Sequence, residues 1–189
     1  MVGVKPRTDM PKKRLTAKEK AVHPSAHGGV LRNRRRGRGR RPLSFRDSIH
    51  LVLRAWWGFG IESFTHPKNR RMVHSVLAKH AANMKVDLLG IGNGGNHLHL
   101  RARFADRKQY CRFIRAVTGE IALKIKKARF HFDGVKVGRL WQWRPFSSII
   151  VGADYLASMI NYIAINELEG YGLTRTEARV KLKKWRDSR

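Results

Sequence analysis

The 189-residue sequence predicts an α+β domain, a ferredoxin-like βαββαβ antiparallel sheet with an additional C-terminal helix carrying a tyrosine. Three observations predict it. Apolar and polar residues alternate over 48–57 and again over 97–104, the period of a half-buried strand. Apolar residues recur at helical spacing over 66–84, from Asp106 onward, and over 153–170. The segments follow one another as strand, helix, strand, strand, helix, strand and helix, with a hydrophobic share of 42% to fill one core.

The chain opens on another kind of sequence. Residues 1–42 hold 14 Lys/Arg and two acids, and the tract RNRRRGRGRR (32–41) holds seven arginines and two glycines. Mutual repulsion and scarce apolar surface predict a disordered basic tail that adds affinity for a polyanion without sequence choice. A solvated tail of no specific role is the alternative.

The folded part begins near Leu43. In SIHLVLRAWW (48–57), Ile49, Leu51, Leu53 and Ala55 share one parity, while His50, Arg54 and Trp56 share the other. Pro67 suits the first turn of a helix whose stripe is Met72, Val73, Val76, Leu77, Ala81 and Met84. KVDLLGIG (85–92) reads as a strand and NGGN (93–96) as a hairpin turn. NHLHLRARF follows, with Leu98, Leu100, Ala102 and Phe104 on one face and His97, His99, Arg101 and Arg103 on the other. Asp106 and Gln109 make a capping pair for a helix with the stripe Tyr110, Phe113, Ile114, Val117 and Ile121. GRLWQWRPF (138–146) reads as the fourth strand. The helix over 153–170 carries Leu156, Met159, Ile160 and Ile163 at helical spacing and stops at Gly170, and 173–189 form a basic helix or tail.

Charge narrows the function classes. Against 41 Lys/Arg stand 13 acids, a net charge of +28, which attracts polyanions, nucleic acid first and an anionic membrane surface second. No apolar run approaches the roughly 18 residues that span a bilayer. The start of the chain has no apolar stretch of signal-peptide type, so a cytoplasmic protein is expected, with a basic transit peptide as the lesser alternative. Cys111 is the only cysteine, which excludes an internal disulfide and a multi-cysteine zinc site.

Two constellations carry chemistry. His97 and His99 lie on one strand face, about 6 to 7 Å apart at Cα, where two imidazoles can converge on one divalent ion or face an anionic ligand. Tyr162 and Asn166 are four apart and stack on one face of the last helix, offering a phenol and a carboxamide. Arg54, Arg101, Arg103 and Arg144 can neutralise phosphates, and Trp56, Trp57, Trp141 and Trp143 can stack on bases, although at least two of these tryptophans are expected in the core. His50, His66, His74, His80 and His131 show no metal-like spacing and read as ordinary.

Together, GNHLHLRARF, FIRAVTGEIA, LWQWRPF and YIAINELEGYGL resemble the HUH single-tyrosine transposases, in particular the REP-associated tyrosine transposases and related transposase-like proteins. The resemblance spans residues 43–172 and matches the histidine pair and the Tyr-to-Asn spacing. It implies a transposase of mobile elements, a metal-dependent enzyme of DNA recombination that cleaves and rejoins single-stranded, hairpin-containing DNA by transesterification through a 5′-phosphotyrosine. His97, His99 and Asn166 would hold one divalent ion (Mg²⁺ or Mn²⁺), Tyr162 would attack, and Arg54, Trp56, Arg101, Arg103 and Arg144 would bind DNA. It further implies a homodimer in which the tyrosine helix acts in cis or in trans. Glu167 stands where the family usually has proline, which makes it a rival third ligand, and Tyr155, two turns before Tyr162, is a rival nucleophile. The alternative is a domesticated, catalytically weak DNA-hairpin or RNA-binding protein of the same fold.

Overall fold

The computed structural model describes residues 27–28, 42–56, 58–134, 138–142 and 144–188, with only the backbone given for 27–28 and 131–133. The arginine tract 32–41, Trp57 and Trp143 lie outside the described residues. Among the described residues five strands are formed: β1 (His27–Gly28), β2 (Ile49–Arg54), β3 (Asp87–Asn93), β4 (His97–Arg103) and β5 (Phe146–Ile149). The helices are α1 (Pro67–Met84), α2 (Arg107–Asp133), α3 (Ala153–Gly170) and α4 (Arg175–Asp187).

The sheet order is β1-β5-β2-β4-β3, and every pairing is antiparallel. Without the two-residue β1, this is the strand order of the ferredoxin-like fold, so the fold class read from the sequence is the one observed. Alternation sets the two faces. Ile49, Leu51 and Leu53 of β2, Ala55 just beyond it, and Leu98, Leu100 and Ala102 of β4 are sealed in the core. Against them pack Val73, Val76 and Leu77 of α1 and Phe113, Val117, Ile121 and Ile125 of α2. The Asp106 side chain caps α2 by accepting from the Gln109 N–H at 2.7 Å, and Gln109 Oε1 accepts from Ala105 N–H at 2.6 Å.

One expectation needs correction. The predicted fourth strand is Phe146–Ile149 (β5), not 138–146; in the earlier stretch residues 140–142 run beside the end of β2, with an isolated bridge of Trp141 to Ala55, Gln142 N–H donating to Arg54 O at 2.9 Å and Trp56 N–H donating to Leu140 O at 2.8 Å. Pro145 has no N–H to give a ladder, so the pairing starts just after it. The face opposite α1 and α2 is partly covered, because α3 lies across its β3 side. Gly90 and Gly92 share the face of Arg101 and His99, and α3 comes down on them. A Cβ on Gly92 would stand 2.6 Å from the Ile163 main-chain oxygen, and one on Gly170 would stand 1.9 Å from Asn93 O. The two glycines on this strand face, with the one at the helix end, set how near the helix sits. Glu167 Oε2 then accepts from Asn93 N–H at 2.7 Å, and the Arg70 guanidinium donates to Gly170 O while stacking 3.6 Å above the Tyr171 ring. The C-terminal end of α3 is thereby tied to β3 and α1. Helix α4, capped by a Thr174–Glu177 capping box, packs on α3 through the buried Ala178.

The glycine seat has a measurable consequence. Gly92→Ala must push α3 off β3 and is expected to lower stability by about 1–3 kcal/mol in urea denaturation. Gly119→Ala is the contrasting change, because a Cβ there meets nothing within 4 Å. In the middle of α2 it is expected to raise stability by about 0.5–1 kcal/mol.

Candidate functional site

The site grows from β4. His97 and His99 point away from the core, and β2 brings Arg54 opposite His97 and His50 one diagonal step from His99. The chain then places Tyr162 and Asn166 of α3 above them. Val52, Arg54, His97, His99, Gln142, Arg144, Phe146 and Tyr162 line a cleft of about 380 Å³.

The hydrogen bonds fix where protons are and where they are not. His97 Nδ1 lies 2.7 Å from Asn96 Oδ1, which only accepts, so Nδ1 carries the proton and Nε2 a lone pair. That Nε2 faces Asn166 Oδ1 at 3.4 Å. The carboxamide cannot offer its other end, because Asn166 Nδ2 donates to the Tyr162 main-chain oxygen at 2.8 Å. Two acceptors thus confront each other with no proton between them. Beside them, His99 Nε2 is buried and has no hydrogen-bond partner.

Unpartnered acceptors turned to one place suit a cation and repel an anion. Of the two ligand types the strand face allowed, a divalent ion fits the imidazole nitrogens, and an anion fits the guanidinium groups of Arg54 and Arg144 on the cleft wall. Among the described residues, no group of three or more His, Cys, Asp or Glu is placed to hold a metal. The fitting set is therefore two imidazoles and a carboxamide. Glu167, the rival ligand by sequence, is spent on the Asn93 N–H, and Glu169 pairs with Arg175 at 3.5 Å.

Burial keeps the imidazoles neutral. It lowers His50 from 6.5 to about 4, and it lowers His99 to about 3, with the neighbouring His97, His50 and Arg54 adding to the effect and a contact from Asn166 opposing it. His97 is lowered by burial too, against an opposing contact from Asn166. All three rings offer lone pairs at neutral pH.

Tyr162 stands edge-on to His99 and His50, with ring centroids 5.0 and 6.0 Å away. The Arg175 guanidinium lies 5.9 Å from its ring centroid. Tyr155 is elsewhere: its hydroxyl lies 2.9 Å from Ser148 Oγ on β5, and it does not line the cleft.

Other residues singled out by sequence are not gathered here. Arg101 turns to the β3 edge and donates to Leu89 O at 3.2 Å, where a bulge between Leu88 and Gly90 frees that carbonyl. Arg103 reaches Asp87 at 3.9 Å. Trp56, half exposed beyond the end of β2, does not line the cleft either. Conversely, sequence reading passed over His50, whose Nε2 lies 2.9 Å from His99 Nδ1, and treated it as ordinary. It also passed over Asn96, which orients His97, and Gly94, where a Cβ would come within 2.5 Å of the His97 ring. The parity that places His50 with Arg54 was the available signal; its partner lies 49 residues away.

No protein-family model and no curated protein matches the chain. Among solved structures, it is similar to a REP-associated tyrosine transposase bound to a REP hairpin, with TM-score 0.52 and 14% identity over 70% of this chain and 73% of the other. It also overlaps a candidate transposase from Deinococcus radiodurans, with TM-score 0.44 and 15% identity over 70% of this chain and 97% of the other. The first likeness is one of fold.

The buried imidazoles make stability depend on pH. Between their native values, about 4 and about 3, and the ordinary 6.5, the unfolded chain binds protons that the native chain does not. Unfolding free energy is therefore highest above about pH 7 and falls toward pH 4, by on the order of 3 kcal/mol for one such group. Urea melts of metal-free protein across this range measure it, and His99→Phe is expected to flatten the slope.

Proposed function

We propose that the chain is a tyrosine-dependent DNA strand transferase that cleaves and rejoins single-stranded DNA next to a hairpin, with Tyr162 as nucleophile. One observation carries this reading: the acceptor atoms of His97, His99 and Asn166 face one another beside Tyr162, in a cleft walled by Arg54 and Arg144. The likeness in fold to a transposase bound to a REP hairpin supports DNA of that kind as the substrate. The net charge of +28 suits any nucleic acid.

His97, His99 and Asn166 would hold a divalent ion, which supplies Lewis-acid polarisation of the scissile phosphate. The protein's own groups do the rest. Asn96 and the buried setting of His99 hold both rings in fixed orientation, so no reorganisation is needed when the phosphate arrives. Arg54 and Arg144 take non-bridging phosphate oxygens and set its approach to Tyr162. The Tyr162 oxygen forms a bond to phosphorus while the bond from phosphorus to the 3′ oxygen breaks. The phenolic proton ends on the released 3′-hydroxyl, and the 5′ end stays on the protein as a phosphotyrosine. A second 3′-hydroxyl reverses the step: its oxygen bonds phosphorus, the tyrosine leaves, and the hydroxyl proton returns to the phenol. One phosphodiester is exchanged for another, so joining needs no nucleotide hydrolysis.

Labelled single-stranded oligonucleotides from both flanks of the gene, incubated with Mn²⁺ and run on denaturing gels, test the reading. Wild type and Tyr155→Phe are expected to give a protein–DNA band, and Tyr162→Phe none. His97→Ala with His99→Ala is expected to reduce the band by more than about a hundredfold. A band that survives Tyr162→Phe overturns the nucleophile. Tight metal-independent binding of the same oligonucleotides without any adduct supports a hairpin-binding protein instead.

A further inference from the structure

We infer that His50 is a positioning residue: it accepts the Nδ1 proton of His99 and so leaves the His99 Nε2 lone pair aimed into the cleft. The inference rests on the cation reading above, and it assigns a role to a side chain outside that ligand set. His50 is 5% exposed and His99 3%. Their nitrogens are 2.9 Å apart. The rings are 10° from parallel with centroids 5.2 Å apart, close to one N···N hydrogen bond plus the two ring radii, so the bond runs in the plane of both rings. Phe146 and Tyr162 meet His50 edge-on, at centroid distances of 6.4 and 6.0 Å, and hold it upright.

One proton is shared between two neutral rings, and its place decides what His99 offers. If His50 donated, His99 would carry its proton on Nε2, a buried position that makes no hydrogen bond in this structure, with the Asn166 oxygen the acceptor close by, at a cost of up to about 1–3 kcal/mol. If His99 donates, Nε2 is a bare lone pair, the form that binds a cation. The neighbouring ring has the same arrangement, since Asn96 Oδ1 accepts from His97 Nδ1 at 2.7 Å. Each imidazole thus has its own acceptor behind it, one from the adjacent residue and one from β2.

Two measurements on the full chain test this. Long-range ¹H–¹⁵N NMR of the metal-free wild type at neutral pH is expected to show His99 protonated on Nδ1; protonation on Nε2 overturns the inference. In titrations with Mn²⁺ alone, His50→Leu is expected to weaken binding about 10- to 100-fold, while His50→Gln, whose carbonyl can accept the same proton, stays within about threefold of wild type. Mn²⁺ binding by folded His50→Leu at wild-type strength overturns it as well. A wild type that binds no Mn²⁺ overturns the cation reading itself, and the His99 tautomer still decides the part played by His50.

Discussion

The close seat of α3 on β3 is the constraint from which the site follows. A helix covering one side of a sheet normally stands off by the length of its side chains. Here Gly92 allows the Ile163 main chain to approach so near that a single added Cβ would collide with its carbonyl. Gly170 repeats the condition one end further along, against Asn93. Only at that depth does Asn166 reach His97, and only then does Tyr162 stand edge-on to His99. The ties at the helix end, from Arg70 and Glu167, keep the register of helix on strand. Tyr162 and the imidazoles are thus brought together within one chain.

The polar logic of the cleft follows from what surrounds it. Most of the fold's surface charge is positive, yet the floor of the cleft is three neutral rings and a carboxamide. Burial removes the protons that would have made the histidines repel a cation, and dedicated acceptors turn the remaining protons away from the cleft. The guanidinium groups of Arg54 and Arg144 stand on the wall of the same cleft. Under the proposed function, a cation held by the floor and arginines beside it would suit a single phosphodiester better than either alone.

Much of the fold was legible because it is written in period. Alternation in β2 and β4 and the helical stripes of α1 and α2 follow from local geometry, and their apolar residues are buried or half-buried in the core. The pairing of Tyr162 with Asn166 was legible for the same reason. What was not legible depends on contacts far along the chain. Gly90 and Gly92 look like weak strand formers until a helix more than 60 residues later needs the space they leave. His50 stood in plain view on the right parity, but its worth depends on His99, reached only through the β2–β4 register. Arg101 and Arg103 shared a face with the histidines, but a free bulge carbonyl and Asp87 drew them to the β3 edge. In 138–146 the aromatic β-formers suggested a strand that Pro145 does not let begin until Phe146.

The claim at the centre of this account is that the imidazoles of His97 and His99 and the carboxamide of Asn166 form one cation site beside Tyr162. Anomalous diffraction from crystals of the metal-free protein soaked in Mn²⁺ tests it most directly. The account predicts one strong peak in contact with His97 Nε2, His99 Nε2 and Asn166 Oδ1, adjoining the Tyr162 hydroxyl. A cleft with no peak while Mn²⁺ binds elsewhere on the chain, or a peak bound by Glu167 in place of Asn166, would contradict it.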